Sequence, residues 1–248
     1  MSQPNICVII PTYNNEHTLM QIIDAVLEYL LLVVVVNDGS TDGTRDILRQ
    51  YEGRIEVLSY EKNRGKGYAL SRGFDRAEQL GYRYAITMDS DGQHYASDIP
   101  RFVKTAGEYP DTLLVGNRNL TNDNMPKKNT FANKFSNFWF TVQTAHRLPD
   151  TQTGYRLYPL LKMNRLRPVT SRYEAELEIL VRCAWRNITI MSIPIHVFYA
   201  PEGKRVTHFR PGMDFFRISA LNSIFVLLSI IYGYPSMVVR NLIRKIKK

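Results

Sequence analysis

The chain has 248 residues, 44% of them hydrophobic and 22% charged, which is the composition of an ordinary globular protein with a sizeable core. Its formal net charge of +9 favours an anionic partner, but no RNA- or DNA-binding signature accompanies the basic residues, so nucleic acid is not expected. The two cysteines, Cys7 and Cys183, lack a C-x-x-C spacing, which excludes a dithiol metal or redox motif and fits reduced thiols in a cytoplasmic compartment.

Residues 6–87 alternate between strand-like and helix-like segments. Apolar runs of strand length occupy 6–10, 30–36, 55–59 and 82–87. Amphipathic helix patterns lie between them, at 16–29, 44–51 and 68–80. Such alternation predicts an α/β fold with a mostly parallel sheet, right-handed crossovers and helices on both faces.

Polar loops follow these strands, and ligands of parallel sheets bind outside the carboxyl ends of the strands. The segment 11–15 follows the first strand, and Asp38 lies in the loop after the second. Asp89 and Asp91 follow the fourth strand. The loop before the third helix carries glycines, which let a backbone approach a ligand, and Lys66, which can reach a phosphate. One crevice is therefore expected to hold all of these loops.

Asp89 and Asp91 are separated by one residue at a strand end, so both carboxylates can turn toward one hard cation. A divalent ion such as Mg²⁺ takes one or two carboxylates together with phosphate oxygens and water. The pair therefore predicts a site for Mg²⁺ or Mn²⁺ and a diphosphate. The alternative is a polar turn, since Asp, Ser and Gly are common in loops.

The second half of the chain is less regular. The patterns predict helices at 98–105, 131–144 and 173–185, strands at 113–116 and 188–197, a polar loop at 117–129 and a strand-like turn at 150–156. Pro194 places its strand at a sheet edge or at a bulge. Glu174 and Glu178 stand one helical turn apart and are expected to face solvent or to pair with Arg182. Since no internal repeat or linker interrupts them, residues 1–210 are expected to form one domain.

Residues 211–248 form a hydrophobic and basic tail. The run from 218 to 239 has no charged residue, and a basic cluster follows at 244–248. About 20 apolar residues suffice to cross a bilayer, whereas a helix lying in the interface would place its basic residues on anionic headgroups. Crossing, interfacial binding and docking on the domain or a partner are all open for this tail. The N-terminus has no signal pattern, so the rest of the chain is expected at the cytoplasmic face of the cell membrane.

Five motifs carry a family resemblance. They are VIIPTYN at 8–14, VNDGSTDGT at 36–44, GKG at 65–67, DSDGQH at 89–94 and DTQTGYR at 150–156. Each is modest alone, but in this order they resemble the family 2 glycosyltransferases of GT-A fold. Within that family the chain is most similar to the branch that moves a sugar from a nucleotide donor to a polyprenyl or dolichyl phosphate. The resemblance covers about residues 5–210.

The resemblance implies a donor site for a sugar linked to UDP or GDP. Pro11, Tyr13 and Asp38 would hold the nucleoside, with the Asp38 carboxylate accepting a hydrogen bond from the base. Asn37 stands where members often carry another acid, and Glu16 stands one position later than the family's glutamate. The other implied donor residues are Lys66, Asp89, Ser90, Asp91, Gln93 and Arg205. Among them, Asp89 and Asp91 would hold the ribose and the metal-diphosphate, and Arg205 lies in a basic segment that resembles a flap.

The implied reaction is a single displacement that inverts the sugar carbon, with a metal held by Asp91 stabilising the leaving diphosphate. A hydroxyl acceptor needs a base, for which Asp150 is the candidate. A lipid phosphate is already ionised and needs cations that position it. The candidate cations are Arg118, Lys127, Lys128, Lys134, Arg156 and Arg205, and Arg156 is also expected to act in catalysis.

Three functions follow from these residues. The first is a metal-dependent inverting transferase with a polyprenyl- or dolichyl-phosphate acceptor at a membrane surface. The second is a transferase acting on a hydroxyl of a glycan or glycolipid in cell-envelope polysaccharide synthesis. The third is an inactive nucleotide-sugar-binding scaffold at the membrane, against which the presence of both Asp89 and Asp91 argues. A dinucleotide oxidoreductase is disfavoured because no G-x-G-x-x-G follows the first strand.

Overall fold

The structure is a computed structural model that describes residues 5–29, 31–118, 127–198 and 211–246, without the side chains of residues 127–131, 211, 214 and 215. The strands are β1 (Ile6–Thr12), β2 (Leu32–Asp38), β3 (Glu56–Tyr60), β4 (Tyr84–Thr87), β5 (Leu113–Arg118), β6 (Arg156–Pro159) and β7 (Ile190–Ile195). The helices are α1 (Glu16–Leu27), α2 (Thr44–Arg49), α3 (Lys66–Gln79), α4 (Ile99–Glu108), α5 (Lys127–Thr144), α6 (Leu160–Met163), α7 (Glu174–Trp185), α8 (Pro211–Leu228) and α9 (Tyr234–Ile246). A 3₁₀ turn at Ala96–Asp98 precedes α4, and a π turn at Ser229–Gly233 joins α8 to α9.

The expected strands and helices are confirmed, with ends that shift by a few residues. The polar loop predicted to reach residue 129 ends earlier, because α5 already begins at Lys127. The short helix α6 was not predicted, because its four residues are too few to show a helical period.

The seven strands form one sheet in the order β3-β2-β1-β4-β6-β5-β7. The first four strands of this order run parallel to one another. β6 is antiparallel to both of its neighbours, β4 and β5, and β7 pairs in parallel with β5. The sheet is therefore mostly parallel, as predicted, and β7 lies at its edge, as Pro194 indicated.

The sheet separates two apolar layers. One layer contains Leu70 and Phe74 of α3 together with Phe140 of α5 and Leu180 of α7. The other contains residues of α1, α2 and α4, among them Phe102. Because helices cover both faces of the parallel strands, β2 shows a continuous valine run at 33–36 instead of an alternation of apolar and polar residues.

The tail forms a long helix that packs on the domain by one side. Between Phe216 and Ile246 it is long and apolar enough to cross a membrane, judged by length and composition, and 28% of its most apolar window is buried within the protein. Leu221 and Phe225 join the apolar layer formed by α3, α5 and α7. Of the three alternatives for the tail, docking on the domain is thus observed for one side of the helix.

Candidate active site

Ser90 joins the loops that follow β1 and β4. Its hydroxyl donates to the Pro11 carbonyl (3.0 Å) and accepts from Asn15 Nδ2 (2.8 Å). Its own carbonyl accepts from the Thr18 hydroxyl (2.5 Å). Ser90 is only 3% exposed. The side chain of Ser90 therefore holds two loops together, and its contact with a donor stays a prediction.

Glu16 lies between the N-termini of α1 and α2. Its Oε2 accepts the N–H of Gly43 (2.6 Å), while its own N–H donates to Asp42 Oδ2 (3.1 Å). Negative charge is favourable at helix N-termini, so the two acids stabilise the crossing of the first two loops. Beside them, Pro11 is buried and Tyr13 is half-buried. Contacts of Glu16, Pro11 and Tyr13 with a donor stay predictions.

Asp38 and Asn37 end β2 and point to opposite faces of the sheet. The Asp38 carboxylate accepts the N–H groups of Arg64 (2.9 Å) and Gly65 (2.6 Å), and Asn37 Oδ1 accepts the N–H of Ser40 (3.1 Å). Burial raises the pKa of Asp38, although the two N–H groups partly oppose it. The Asp38 carboxylate keeps lone pairs that a base could use. Asn37 has no exposed surface. The contacts of both residues with a donor stay predictions.

Gly65 brings the start of α3 against the start of α7. Its φ of +99° is unfavourable for other residues, and a Cβ there would lie 2.4 Å from the Ser171 carbonyl oxygen. Only glycine fits this approach. As a result Lys66, the first residue of α3, lies next to Glu176 of α7.

Lys66 forms ion pairs with the half-buried carboxylate of Asp89 and the buried carboxylate of Glu176. Its Nζ lies 2.6 Å from Asp89 Oδ1 and 3.0 Å from Glu176 Oε2. Burial alone would lower the pKa of Lys66, but the two carboxylates outweigh it and raise that pKa. Burial likewise works to raise the pKa of Asp89, but the Lys66 ammonium outweighs it and lowers that pKa, so both groups are charged.

Glu176 belongs to this site but was not predicted to. The available signal was a carboxylate set among the apolar residues of its helix, since a buried carboxylate needs a cation. The sequence does not show which cation, because Lys66 and Glu176 come together only through the packing of α3 on α7.

We expect Glu176→Gln to lower the free energy of unfolding by about 1–3 kcal/mol, because the half-buried Lys66 ammonium loses one of its carboxylates while the side-chain shape is kept. Chemical denaturation measures the change, and Glu52→Gln at an exposed carboxylate is the control, expected within about 0.5 kcal/mol of the unaltered chain. In a Lys66→Met background the same substitution should no longer destabilise the fold. An equal loss in both backgrounds would contradict the ion pair.

Asp91 shares a confined space with Asp89. Burial first, and then the Asp89 charge, raise the pKa of Asp91 to about 6. Its Oδ1 accepts the N–H of Gln93 (3.0 Å), whose carbonyl accepts the N–H of Phe198 (2.9 Å). The backbone of Gln93 therefore joins the Asp91 loop to Phe198. The contact of Gln93 with a donor stays a prediction.

The pair formed by Asp89 and Asp91 fits a divalent cation that also binds phosphate. In the part of the chain that the structure describes, no group of three or more His, Cys, Asp or Glu side chains could hold a metal ion. Two carboxylates leave the other coordination positions to phosphate oxygens and water, which is how Mg²⁺ is usually held in phosphoryl sites. The oxygen ligands equally suit Mn²⁺.

His94 packs beneath the loop that carries Asp89. Its Nδ1 lies 3.4 Å from the Asp89 nitrogen and accepts that N–H, and its ring lies 5.0 Å from the Tyr155 ring. Burial lowers the pKa of His94 to about 4, so the ring is neutral at pH 7. The geometry makes His94 a structural support of Asp89.

Gly154 lies against the Lys66–Asp89 ion pair. A Cβ on Gly154 would come within 2.5 Å of Asp89 Oδ2 and 2.8 Å of Lys66 Nζ. The Thr87 hydroxyl donates to the Gly154 carbonyl (2.6 Å) and fixes this approach. The segment 150–156, distant in sequence, thus reaches the carboxyl end of β4.

Asp150 is fully buried in an ion pair with Arg118. Arg118 Nε lies 2.6 Å from Asp150 Oδ2, and Arg118 Nη2 lies 2.9 Å from Asp150 Oδ1. Asn133 Nδ2 also donates to Oδ1 (2.6 Å). Burial works to raise the pKa of Asp150, but Arg118 outweighs it and lowers that pKa. The side chain has 0% exposed surface. A charged, enclosed carboxylate with a low pKa is a poor base, so this geometry argues against the predicted base role.

Arg156 is 0% exposed and donates to backbone carbonyls. Its Nε donates to Thr153 O (2.7 Å), and its terminal nitrogens donate to Glu176 O (2.7 Å) and Thr151 O (2.9 Å). These bonds hold the segment 150–156 on α7. Because its guanidinium is enclosed, this geometry indicates a structural role for Arg156, and its catalytic role stays a prediction.

The other residues predicted to bind a phosphate lie in different surroundings. Lys134 is exposed on α5, and Arg118 is partly buried beside Asp150. The side chains of Lys127 and Lys128, and all of Arg205, lie outside the described residues. Their proposed contacts with phosphates therefore stay predictions. The expected pair of Glu178 with Arg182 is confirmed at 2.6 Å.

Comparison with known proteins gives one family. A model of glycosyl transferase family 2 matches residues 7–162. The UDP-N-acetylglucosamine--dolichyl-phosphate N-acetylglucosaminyltransferase of Methanococcus voltae is 26% identical over 221 residues, a match that covers 80% of this chain and 88% of that protein. The polyprenol monophosphomannose synthase of Mycolicibacterium smegmatis is 28% identical over 200 residues, covering 76% of this chain and 75% of that protein.

A solved structure shares the fold. Glucosyl-3-phosphoglycerate synthase from Mycobacterium tuberculosis, solved in complex with Mn²⁺, uridine-diphosphate-glucose and phosphoglyceric acid, superposes with a TM-score of 0.65. Its sequence is 19% identical, and the match covers 92% of this chain and 79% of that one. The expected GT-A architecture is therefore confirmed.

Proposed function

The chain belongs to glycosyl transferase family 2, and from that premise we propose that it transfers a sugar from a UDP- or GDP-linked donor to a polyprenyl or dolichyl phosphate. The proposed reaction uses Mg²⁺ or Mn²⁺, inverts the sugar carbon in one displacement and takes place at the cytoplasmic face of the cell membrane. Relatives named for dolichyl phosphate and for polyprenol support this choice of acceptor, and the structural neighbour solved with Mn²⁺ and a nucleotide sugar supports the choice of donor and metal.

The donor half of the proposal is supported by Asp89, Asp91 and Lys66. The two carboxylates lie at the carboxyl end of β4, where parallel sheets bind ligands. A divalent ion held there would stabilise the negative charge of the departing diphosphate as a Lewis acid. Lys66 keeps Asp89 ionised and fixes its position, so the carboxylate does not have to reorganise when the donor arrives.

The observation that favours a phosphate acceptor is the Asp150–Arg118 ion pair. A hydroxyl acceptor must lose a proton to a base, and the Asp150 carboxylate is enclosed by Arg118 and Asn133. A lipid phosphate brings an oxygen that is already ionised and needs only cations to place it. Lys134 is exposed on α5 next to Asn133, so it could supply positive charge to a phosphate there.

One observation favours the alternative of a hydroxyl acceptor. Oε1 of Glu176 is buried and has no hydrogen-bond partner among the described residues. If donor binding exposed that oxygen to the acceptor, its unused lone pairs could take a proton from a sugar hydroxyl. The inactive scaffold has no comparable support, because the Lys66–Asp89 pair and Asp91 are all in place.

The proposal is tested by incubating the purified protein with a panel of labelled nucleotide sugars and a polyprenyl phosphate. We expect label from one donor to enter a mild-acid-labile lipid, only when a divalent cation is present. The matched control is the same polyprenol without its phosphate, which should stay unlabelled. Label that enters the polyprenol or an added glycan instead would contradict the phosphate acceptor and favour the hydroxyl alternative.

A further inference from the structure

The helix formed by residues 216–246, which we call the tail helix, is docked on the domain along one side. The residues that face the domain recur every three or four positions from Asn222 to Ser236, and Leu221 and Asn241 also contact it. They are Leu221, Asn222, Phe225, Ser229, Gly233, Ser236 and Asn241. This spacing defines one face of a helix.

Hydrogen bonds hold the tail helix near both of its ends. Gln143 Nε2 donates to Asn222 Oδ1 (2.9 Å), and Asn187 Nδ2 donates to Asn241 Oδ1 (3.0 Å). Asn222 and Asn241 are separated by about 28 Å of helix. This is close to the thickness of the hydrocarbon core, about 30 Å. A helix held over that length could cross a bilayer only by drawing the polar surface of the domain into it.

Trp185 holds the middle of the tail helix. The Ser236 hydroxyl donates to the Trp185 carbonyl (3.1 Å), and the Phe225 ring lies 5.4 Å from the Trp185 ring. A Cβ on Gly233, the last residue of the π turn, would come within 2.5 Å of Trp185 Nε1. Because a π turn holds more residues than an α turn, it rotates the following residues back, so the docked face of α9 continues that of α8.

The opposite side of the tail helix is apolar and exposed. Leu227 is 64%, Ile231 76% and Ile246 83% exposed. Other exposed apolar side chains of this helix are Ile224, Val238, Val239, Leu242 and Ile243. An exposed apolar stripe of this length marks an interaction surface.

The charges of the tail helix are all basic. No Asp or Glu occurs between Phe216 and Ile246, whereas Arg217, Arg240, Arg244 and Lys245 do. Apolar and basic side chains together match an anionic lipid surface. A second copy of the chain on the same side would bring further cations and no acid to pair with them, so a membrane fits this surface better.

We propose that the tail helix lies in the plane of an anionic membrane surface, with its docked side on the domain and its exposed side in the boundary between headgroups and acyl chains. The inference rests on the proposed function only for the presence of a membrane. A tail helix in this position would also bring the cleft near the lipid. Asn133 of α5 contacts Asp150, and Gln143 of α5, about 15 Å further along that helix, contacts the tail helix.

Vesicle binding by the full chain tests the exposed side. For the double variant Leu227→Glu/Ile231→Glu, we expect co-sedimentation with mixed phosphatidylglycerol and phosphatidylcholine vesicles to weaken at least about tenfold, because two apolar side chains no longer enter the lipid. Val169→Glu, at an exposed apolar residue outside the tail helix, should bind like the unaltered chain. Equal binding by all three proteins would overturn the proposal. So would unaltered vesicle binding with loss of a concentration-dependent dimer in the double variant.

Thiol labelling distinguishes a helix in the surface from one that crosses. Arg217→Cys and Arg244→Cys mark the two ends of the tail helix. The native Cys7 and Cys183 are buried, and burial raises the pKa of each thiol to about 12, so neither competes. On preformed vesicles both introduced thiols should react with a membrane-impermeant maleimide before detergent is added. Protection of either thiol until detergent is added would show a crossing helix and overturn the proposal.

A soluble acceptor separates this inference from the proposed function. The double variant should transfer sugar to a short, water-soluble polyprenyl phosphate at the rate of the unaltered chain, because its cleft is unchanged. Absence of transfer by both proteins would count against the proposed function, while vesicle binding and labelling would still decide the position of the tail helix.

Discussion

Replacing Asp91 by asparagine should lower the rate of sugar transfer by about 10³-fold or more, because asparagine keeps the shape of the side chain but loses the charge that would hold the cation. A bound divalent cation contributes several kcal/mol to the stability of a developing negative charge, and each 1.36 kcal/mol is about a factor of ten in rate. Initial rates at saturating donor and acceptor measure the loss.

The same substitution should raise the stability of the metal-free protein. Burial and the Asp89 charge raise the pKa of Asp91 from 3.8 to about 6, so the folded chain holds this proton more tightly than the unfolded chain does. The ionised carboxylate therefore destabilises the fold as the pH rises through about 6, and at pH 7 the penalty is about 1–3 kcal/mol. Chemical denaturation in a chelator should show the largest gain at pH 7 and a smaller one below pH 6.

Asp46→Asn on α2 is the matched control, because it removes an exposed carboxylate paired with Arg49. It should leave both the rate and the stability nearly unchanged. Undiminished transfer by Asp91→Asn would remove the metal-diphosphate site from the proposed function. A loss of stability in that variant would contradict the crowding of Asp91 by Asp89.

Replacing Arg156 by methionine should lower the free energy of unfolding by about 3–5 kcal/mol. Methionine has a similar length but no donors, so the carbonyls of Thr151, Thr153 and Glu176 each lose the donor that Arg156 supplies. Thermal or chemical denaturation measures the effect, and any fall in activity should follow from the fall in folded protein.

Arg72→Met provides the comparison for Arg156, since Arg72 lies on α3 with about half of its side chain exposed. Its effect should stay within about 0.5 kcal/mol. If Arg156→Met kept its stability and lost only turnover, the guanidinium would have a catalytic role after all, and the structural account of its hydrogen bonds would fail.

The parallel half of the sheet was predictable because its information is local. Each strand from β1 to β4 is a short apolar run with a polar loop behind it, and parallel strands bring those loops to one edge. The positions of Asp38, Lys66, Asp89 and Asp91 follow from that rule alone. Most residues of the expected crevice could therefore be predicted from the hydrophobic pattern and from the rule for parallel strands.

The other members of the site depend on packing between distant segments. Glu176 meets Lys66 because α7 packs on α3 at Gly65, and Arg156 is enclosed because β6 enters the sheet beside β4. Neither arrangement has a local pattern, so the enclosure of Arg156 could not be predicted. The hydrogen bonds of Ser90 likewise depend on packing, since Pro11 and Asn15 come from the end of the neighbouring strand β1 and from the loop after it.

The two-sided character of the tail was partly visible in the sequence. Asn222, Ser229 and Ser236 recur every seven residues, which is two helical turns and places them on one side of a helix. As isolated polar residues they only dilute the apolar run. As one polar line they indicate a helix that docks on protein along that line and presents its apolar side elsewhere.

The place of β6 between β4 and β5 governs how the chain can be assembled. Until residues 156–159 are available, one edge of β4 has no partner, and an open strand edge invites pairing with other chains. A nascent or truncated chain that stops short of β6 would therefore tend to aggregate. If the chain is divided into two fragments just before β6, the N-terminal fragment should become soluble only when the C-terminal fragment is added. The C-terminal fragment carries β6, which pairs with the open edge of β4.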